Sequence, residues 1–232
     1  MKTILAVNTA LCAGLVILFS PIAQGQNLFD ADATGSIYEF TPGGAQSTFA
    51  SGMSYLRGIA FDSVGDLFVD DVVSGNIYKF TPSGTRTTIA SGLISPWGLA
   101  CNSAGDVFVA SVDSGNIYEI TPGGTPSIFA SGVNPVGLAF NSAGDLFDAD
   151  GSGHIYEFTP AGVQTTFASG LDGPDCLAFG SDGNLFVGAD DDLAIYEFTP
   201  NGARSTFASG PKPFGPLALA VDNAGDVFMA NG

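Results

Sequence analysis

Short apolar runs recur along the chain from Asn27 onward, separated by turns rich in Gly, Pro, Asn, Asp and Ser. Four runs make one unit, and Ile-Tyr marks the third run of each unit. These dipeptides begin at Ile37, Ile77, Ile117, Ile155 and Ile195, at spacings of 40, 40, 38 and 40 residues. A fixed period near 40 with four strands per unit is typical of propeller blades. The pattern predicts an all-β fold, a β-propeller of four-stranded antiparallel blades.

One unit shows why these runs are strands. Its apolar runs cover residues 98–101, 107–110, 117–120 and 127–130. Turns with Pro or Gly, such as Thr121-Pro122-Gly123-Gly124, separate them, because Pro sets the first turn residue and Gly accepts a positive φ. The runs are continuously apolar rather than alternating, as expected for a blade that neighbouring blades cover on both faces.

The number of strands leaves two ring closures open. First, third and fourth strands occur five times each, whereas six second strands begin at Leu28, Leu67, Val107, Leu146, Leu185 and Val227. In one closure, the most C-terminal of the five first strands pairs with the N-terminal second strand and completes a five-bladed ring. In the other, the ring has six blades and the sixth blade is incomplete. Open strand edges favour pairing with other chains, so an incomplete ring is expected to allow self-association.

The N-terminal residues 1–25 have the features of a secretory signal peptide. Lys2 precedes an apolar stretch that ends at Phe19, Pro21 follows, and Ala23-Gln24-Gly25 is a small-x-small cleavage site. The alternative is an uncleaved anchor, although the apolar stretch is short for a bilayer span. We expect a single propeller domain over residues 26–232 that is secreted or periplasmic, with no membrane span after cleavage.

Charge narrows the range of partners. The chain has 6 Lys and Arg against 23 Asp and Glu, a net charge of -17. Nucleic acids and anionic membranes are therefore not expected as partners, since phosphate binding needs clustered basic residues. Cys101 and Cys176 occupy different repeat positions in non-adjacent units, so no disulfide is expected between them.

Two motifs resemble a known group of propellers. Residues 135–147 (PVGLAFNSAGDLF) and 153–162 (GHIYEFTPAG) resemble NHL repeats, and they are similar to the gluconolactonase/regucalcin and streptogramin-lyase propellers. The resemblance covers residues 27–232 and implies the propeller fold. For activity it implies either a metal-dependent lactonase or a His-dependent lyase, and each needs its own residues.

Only one residue matches the lactonase pattern. Lactonase-like enzymes hold a divalent cation with Glu, Asn and an Asp in a Pro-Asp-Gly context before a first strand; here Pro174-Asp175-Cys176 supplies the Asp, with Cys in place of Gly. The equivalent positions elsewhere are Arg57, Trp97, Val136 and Leu217. The lyase pattern needs a His in the channel, but His154 aligns with loop residues Asn76 and Asn116. No catalytic residue is assigned.

Positions that differ between repeats are free to bind something. The loops before the first strands carry aromatic, charged and amide side chains that suit a small-ligand pocket at one end of the channel. The candidate ligand-binding residues are Tyr55, Arg57, Trp97, Asn134, Asp175 and Phe214. The alternative is that these residues only fill the channel mouth and its solvated rim.

A second set is acidic. Asp30 and Asp148 replace Val69, Val109 and Val187 inside second strands, where an unpaired carboxylate is costly. Asp148-x-Asp150-x-Ser152-Gly153 is similar to the start of a calcium loop, but Thr159 stands where the later Glu is needed. The candidate metal ligands are Asp30, Asp32, Asp148, Asp150 and Asp175, with Ca²⁺ the expected ion because only hard oxygen ligands are available. The alternative is that these acids are structural or solvated.

Two functions remain open. The first is an exported NHL-like propeller that acts as a ligand-binding or protein-binding scaffold. The second is a divalent-metal hydrolase of the gluconolactonase type, with Asp175 as a metal ligand. General acid–base chemistry needs groups that converge on one substrate atom. The lactonase hypothesis therefore requires Asp175 to meet at least two other oxygen ligands in the channel.

Overall fold

The computed structural model describes the backbone of residues 4–7, 17–19, 27–211 and 215–231, and the side chains of residues 27–211 and 215–230. These residues form strands and turns but no helix, so none of them forms a helix that could span a membrane. The strands of the N-terminal segment and the first repeat are β1 (Ile4–Val7), β2 (Ile17–Phe19), β3 (Leu28–Asp32), β4 (Ser36–Phe40) and β5 (Gln46–Ala50).

The later repeats follow the same order. The second contains β6 (Ile59–Phe61), β7 (Leu67–Asp71), β8 (Asn76–Phe80) and β9 (Arg86–Ala90), and the third contains β10 (Pro96–Cys101), β11 (Val107–Ser111), β12 (Asn116–Ile120) and β13 (Ser127–Ser131). The fourth contains β14 (Pro135–Phe140), β15 (Leu146–Asp150), β16 (His154–Phe158) and β17 (Gln164–Ser169). The fifth contains β18 (Pro174–Phe179), β19 (Leu185–Ala189), β20 (Ala194–Phe198) and β21 (Arg204–Ser209), before β22 (Pro216–Val221) and β23 (Val227–Asn231).

The sheets confirm the predicted blades. Strands β2 to β21 form five four-stranded antiparallel sheets, each made of strands consecutive in the chain. The described residues add a sixth sheet of three strands in the order β1, β23, β22, in which β1 runs parallel to β23. Strand β22 pairs with β23, and β3 pairs with β2, so β22 does not close the ring against β3. The incomplete sixth blade is the closure that the structure adopts.

The innermost strands surround a central channel. Strands β6, β10, β14, β18 and β22 contact one another in that order, and β2 contacts both β22 and β6. Strands β1 and β2 lie within residues 1–25, the segment interpreted as a signal peptide, and its cleavage stays a prediction.

Apolar side chains fill the space between blades. Phe29 and Ala31 of β3 share one cluster with Leu67 and Val69 of the next blade. Phe29 also meets Phe61 edge to face, with ring centroids 5.1 Å apart. Equivalent clusters lie between the following blades. Both faces of each second strand are therefore buried, which explains the continuous apolar runs.

The loops before first strands and after second strands lie side by side. The amide of Val72 donates to the carbonyl of Tyr55 (2.9 Å), and Val112 donates to Ser95 (3.2 Å). Gly151 repeats the bond with Asn134 at 2.9 Å. The two variable loop sets therefore emerge on one face of the propeller, as the repeat predicts.

Candidate functional site

A small cavity lies at the mouth of the channel on the face that carries the variable loops. Its upper wall is formed by one residue from each of five repeats, at the position just before the Gly, Cys or Ala of the first strand. These residues are Arg57, Trp97, Val136, Asp175 and Leu217, and the cavity volume is about 80 Å³. The structure therefore brings together Arg57, Trp97 and Asp175, three of the predicted ligand-binding residues, while their binding role stays a prediction.

Below the mouth the channel is apolar. Leu99, Leu138, Leu177 and Leu219 line both the mouth and the wider cavity at the opposite end. Sequence reasoning did not single out these leucines, although they occupy the same position in four first strands. The charged side chains that line the channel, Arg57 and Asp175, are thus at one end, and Asn223 lines the cavity at the other.

Asp70 positions the backbone that carries Arg57. One oxygen, Oδ1, accepts hydrogen bonds from the amides of Arg57 (2.9 Å) and Gly58 (2.8 Å). A Cβ at Gly58 would lie 2.5 Å from Oδ2 of Asp70, so only glycine fits beside this carboxyl. Asp70 is not among the site residues predicted from the sequence. The signal that points to it is that Asp70 replaces Ala110 and Ala149 inside a second strand.

The guanidinium of Arg57 stacks on Trp97. Its central carbon lies 3.6 Å from the centre of the indole ring, within the range of a cation–π contact. The guanidinium makes no hydrogen bond or ion pair with any described residue; the ion pair between described residues joins Lys79 to Asp66. The flat face of the guanidinium packs on the indole ring, and its N–H groups remain available at the cavity.

Asp175 lies on the opposite side of the channel mouth. Trp97 and Val136 separate it from Arg57 in the order of the blades, and Leu217 follows it. Burial raises the pKa of Asp175 to about 6, Arg57 acts in the opposite direction, and the charges of Asp190 and Asp191 add to the rise. The carboxyl therefore changes charge just below neutral pH.

The channel mouth does not fit the metal site that the lactonase resemblance implies. Asp175 is the one carboxylate among the residues lining this cavity. Across the described ranges, no three His, Cys, Asp or Glu side chains are grouped around a point that could hold an ion. A divalent cation of this kind takes several oxygen ligands, and no second carboxylate of the described residues joins Asp175 at this cavity.

Asp150, one of the candidate calcium ligands, is committed to hydrogen bonds. Its carboxylate accepts the amide of Asn134 (2.7 Å), the amide of Ser152 (2.8 Å) and the hydroxyl of Ser152. Asp71 accepts the amide of Ser54 in the same way at 2.9 Å. Asp32 accepts the amide of Thr34. The Asp71 and Asp150 carboxylates thus join the two adjacent loops of a blade, whereas the bond from Thr34 to Asp32 lies within one loop.

Asp30 and Asp148 have a different environment. They are 2% and 0% exposed, and no described residue donates a hydrogen bond of normal geometry to either carboxyl, although the Val136 amide lies close to Asp148. Burial, with the neighbouring charge of Asp32, raises the pKa of Asp30 to about 7. Burial, with the charge of Asp150, also raises the pKa of Asp148 well above its usual range, while the Val136 amide opposes the rise. Calcium binding at these residues stays a prediction.

The remaining candidates lie outside the cavity. Tyr55 and Asn134 are in the mouth loops, where their carbonyls accept the loop-pairing bonds, and they do not line the cavity. Phe214 lies outside the described residues. The sequence predicts His154 to be a loop residue, but it is the first residue of β16 and pairs with Asp150 and Ser169. Its ring stacks on Tyr156, its Nδ1 is 3.0 Å from the hydroxyl of Ser152, and it does not line the cavity.

Comparison with solved structures identifies the fold. Virginiamycin B lyase from Staphylococcus aureus superposes with a TM-score of 0.75 at 17% identity, covering 94% of this chain and 77% of that chain. A gluconolactonase from Xanthomonas campestris gives 0.76 at 19% identity, covering 90% and 80%. A chain of a nidogen/laminin complex gives 0.77 at 18% identity, covering 95% and 85%.

The chain has the fold of these propellers. The resemblance to the gluconolactonase and streptogramin-lyase propellers is thus confirmed for the architecture. No family model matches the chain, and no curated protein matches it. At these identities the likeness concerns the fold alone, and propellers support both binding and catalysis.

Proposed function

We propose that this chain is an exported, NHL-like propeller that acts as a binding module and holds a small ligand at the mouth of its channel. The observation that carries the proposal is the guanidinium of Arg57, which stacks on Trp97 and faces Asp175 across a cavity. None of the described residues pairs with its N–H groups. Fixed polar groups in an otherwise apolar concave wall are the usual composition of a ligand site.

The same residues are better suited to binding than to chemistry. Arg57 stays protonated in proteins and cannot serve as a general base. Asp175 is then the one lining side chain able to exchange a proton near neutral pH. Acid–base hydrolysis needs a second group within reach of the same substrate atom, or an activated nucleophile.

A lactonase-like hydrolase is the second candidate. Asp175 in its Pro-Asp context and the gluconolactonases of the same fold favour it. Asp190 and Asp191 influence the pKa of Asp175, and one of them would have to act as the second carboxylate. Neither lines the cavity, so this function requires a rearrangement of the loop after β19.

Trp97 provides a direct test because it is the single tryptophan in the chain. Its fluorescence is titrated with sugars, sugar lactones, amino acids, small carboxylates and amines, and lactone hydrolysis is assayed in the same samples with and without Ca²⁺. A ligand of this site should change the emission in the wild type and in Arg86→Gln, whose guanidinium lies 5.2 Å from the Tyr78 ring. The response should be lost in Arg57→Gln. An emission that no compound changes would show that the proposal is wrong, and Ca²⁺-dependent turnover would favour the lactonase.

Export is tested separately by N-terminal sequencing of the protein recovered outside the cytoplasm. Cleavage after Gly25 predicts Gln26 as the first residue. A protein that keeps residues 1–25 would contradict the signal-peptide interpretation, while the channel-mouth proposal would remain open to its own test.

A further inference from the structure

We propose that the channel mouth binds a small zwitterion, with a carboxylate against the guanidinium of Arg57 and an ammonium group against the carboxylate of Asp175. This inference rests on the proposed function and specifies the ligand of the same site. It depends on two opposite charges that the fold holds apart on either side of one cavity.

The two charges influence each other without touching. The positive charge of Arg57 lowers the pKa of Asp175, so the two side chains interact electrostatically across the channel mouth. No ion pair joins these two described residues. Asp70 clamps the backbone of Arg57, and Trp97 supports its guanidinium, which keeps the cation on its own side. A molecule with both charges would give each of them a partner at once.

The other walls and the overall charge favour a ligand with no net charge. Val136, Leu217 and the leucines below them offer no partner to a third charged group. The net charge of -17 repels free anions from the surface. A simple cation would satisfy Asp175 but would be repelled by Arg57, and a simple anion would meet the reverse problem. A zwitterion avoids both.

The cavity limits the size of the ligand. Its volume is about 80 Å³. A single water molecule needs about 10–15 Å³ of such a cavity, so the space corresponds to roughly five to eight heavy atoms. Compounds in which one to three methylene groups separate the ammonium from the carboxylate match this space. Glycine, β-alanine and 4-aminobutyrate form such a series.

The test compares these three zwitterions with acetate and methylammonium. Each is titrated at pH 7.5 and constant ionic strength, by calorimetry and by Trp97 fluorescence. We expect one zwitterion to bind about tenfold more tightly than either single-charge compound, since each paired charge contributes to the affinity. Asp175→Asn should remove this preference but keep the acetate response, and Arg57→Gln should remove both. Arg86→Gln is the matched control and should behave as the wild type.

Each other outcome overturns the proposal in a different way. Acetate binding as tightly as the best zwitterion would identify an anion site, and methylammonium doing so would identify a cation site. A Trp97 response to a neutral lactone or sugar alone would leave the binding function standing and show that the zwitterion is wrong. No response to any compound would remove both. Thermal melts check that the variants fold. If Arg57→Gln does not fold, Arg57→Lys, which keeps the charge but not the planar stack, should weaken the binding of acetate and of the zwitterions together.

Discussion

Cys176 and Gly188 pair across β18 and β19, and each limits the other. A Cβ at Gly188 would lie 2.4 Å from Sγ of Cys176, which itself lies 3.2 Å from the carbonyl of Pro216. In the fourth blade the equivalent pair is Gly137 of β14 and Ala149 of β15. The larger residue is therefore in the second strand of that blade, whereas in the fifth blade it is in the first strand. In these two blades only one of the two positions carries a side chain, whereas the three-stranded sheet has the small residues Ala218 and Ala230 at both.

This pairing predicts a coupled pair of substitutions. Gly188→Ala should destabilise the fold by about 1–3 kcal/mol, because it overpacks a tight contact. Adding Cys176→Gly should recover part of this loss, since it removes the sulfur but leaves the Pro216 carbonyl 2.8 Å from the new Cβ. Denaturant unfolding of the two single variants and the double variant measures the coupling. Strict additivity would contradict it.

Asp70 supports the channel mouth through two amides. Asp70→Ala should cost about 2 kcal/mol or more, because the amides of Arg57 and Gly58 are left buried without an acceptor. Asp70→Asn keeps an oxygen at the site and should lose less. Thermal melts measure stability, and Trp97 emission reports whether Arg57 stays in place. Equal losses for Ala and Asn would show that the acceptor is not what matters.

Asp148 should make the protein less stable as pH rises. Its folded pKa is well above the ordinary value of 3.8, so its stabilising protonated form is fully present below pH 3.8 and is lost as pH rises through the folded pKa. Asp30 should act in the same direction between pH 3.8 and about 7.

Asp148→Val tests this dependence, because valine occupies the same position in β7, β11 and β19. We expect the variant to be more stable than the wild type at pH 8 by about 1–3 kcal/mol, with a smaller pH dependence. Urea unfolding between pH 4 and pH 8 is the measurement, and Asp113→Asn in an exposed loop is the control. A loss of stability at pH 8 would mean that Asp148 has a partner, such as a bound cation.

Binding at the channel mouth should weaken in acid. The Asp175 carboxylate is protonated below about pH 6 and then no longer attracts an ammonium group. The affinity of the wild type for the zwitterions should be lower at pH 5 than at pH 7.5. The affinity of Asp175→Asn for them should be the same at both pH values. Calorimetric titration at the two pH values makes the comparison. An unchanged wild-type affinity would separate Asp175 from binding.

Removal of residues 1–25 should expose strand edges. Strand β2 pairs with β3, and β1 pairs with β23, so both partners lose a neighbour in the shortened chain. Exposed edges pair readily with other chains. We expect residues 26–232 to self-associate in light scattering after size exclusion, more strongly than the full chain. A monodisperse monomer with an unchanged melting temperature would contradict this.

The repeat pattern of the sequence is sufficient by itself to determine the architecture. The Ile-Tyr spacing, the apolar runs and the Pro- and Gly-rich turns are local signals, and each repeat folds by the same local rules, so the blades and their shared loop face could be predicted. The starts of all six second strands are as predicted. The choice between the two ring closures depends on which distant strands pair, and a local pattern does not contain that information.

The candidate site divides in the same way. Arg57, Trp97 and Asp175 could be chosen because they vary at one repeat position, and aligned repeats place that position at one level of the channel. Only the tertiary structure decided that Arg57 stacks on Trp97 and that Asp70 holds the backbone of Arg57. It also decided that Asp150 accepts loop hydrogen bonds, whereas Asp148 receives no hydrogen bond of normal geometry from the described residues. These relationships join residues from different strands or blades, and their energy depends on distance and burial, which exist only in the folded chain.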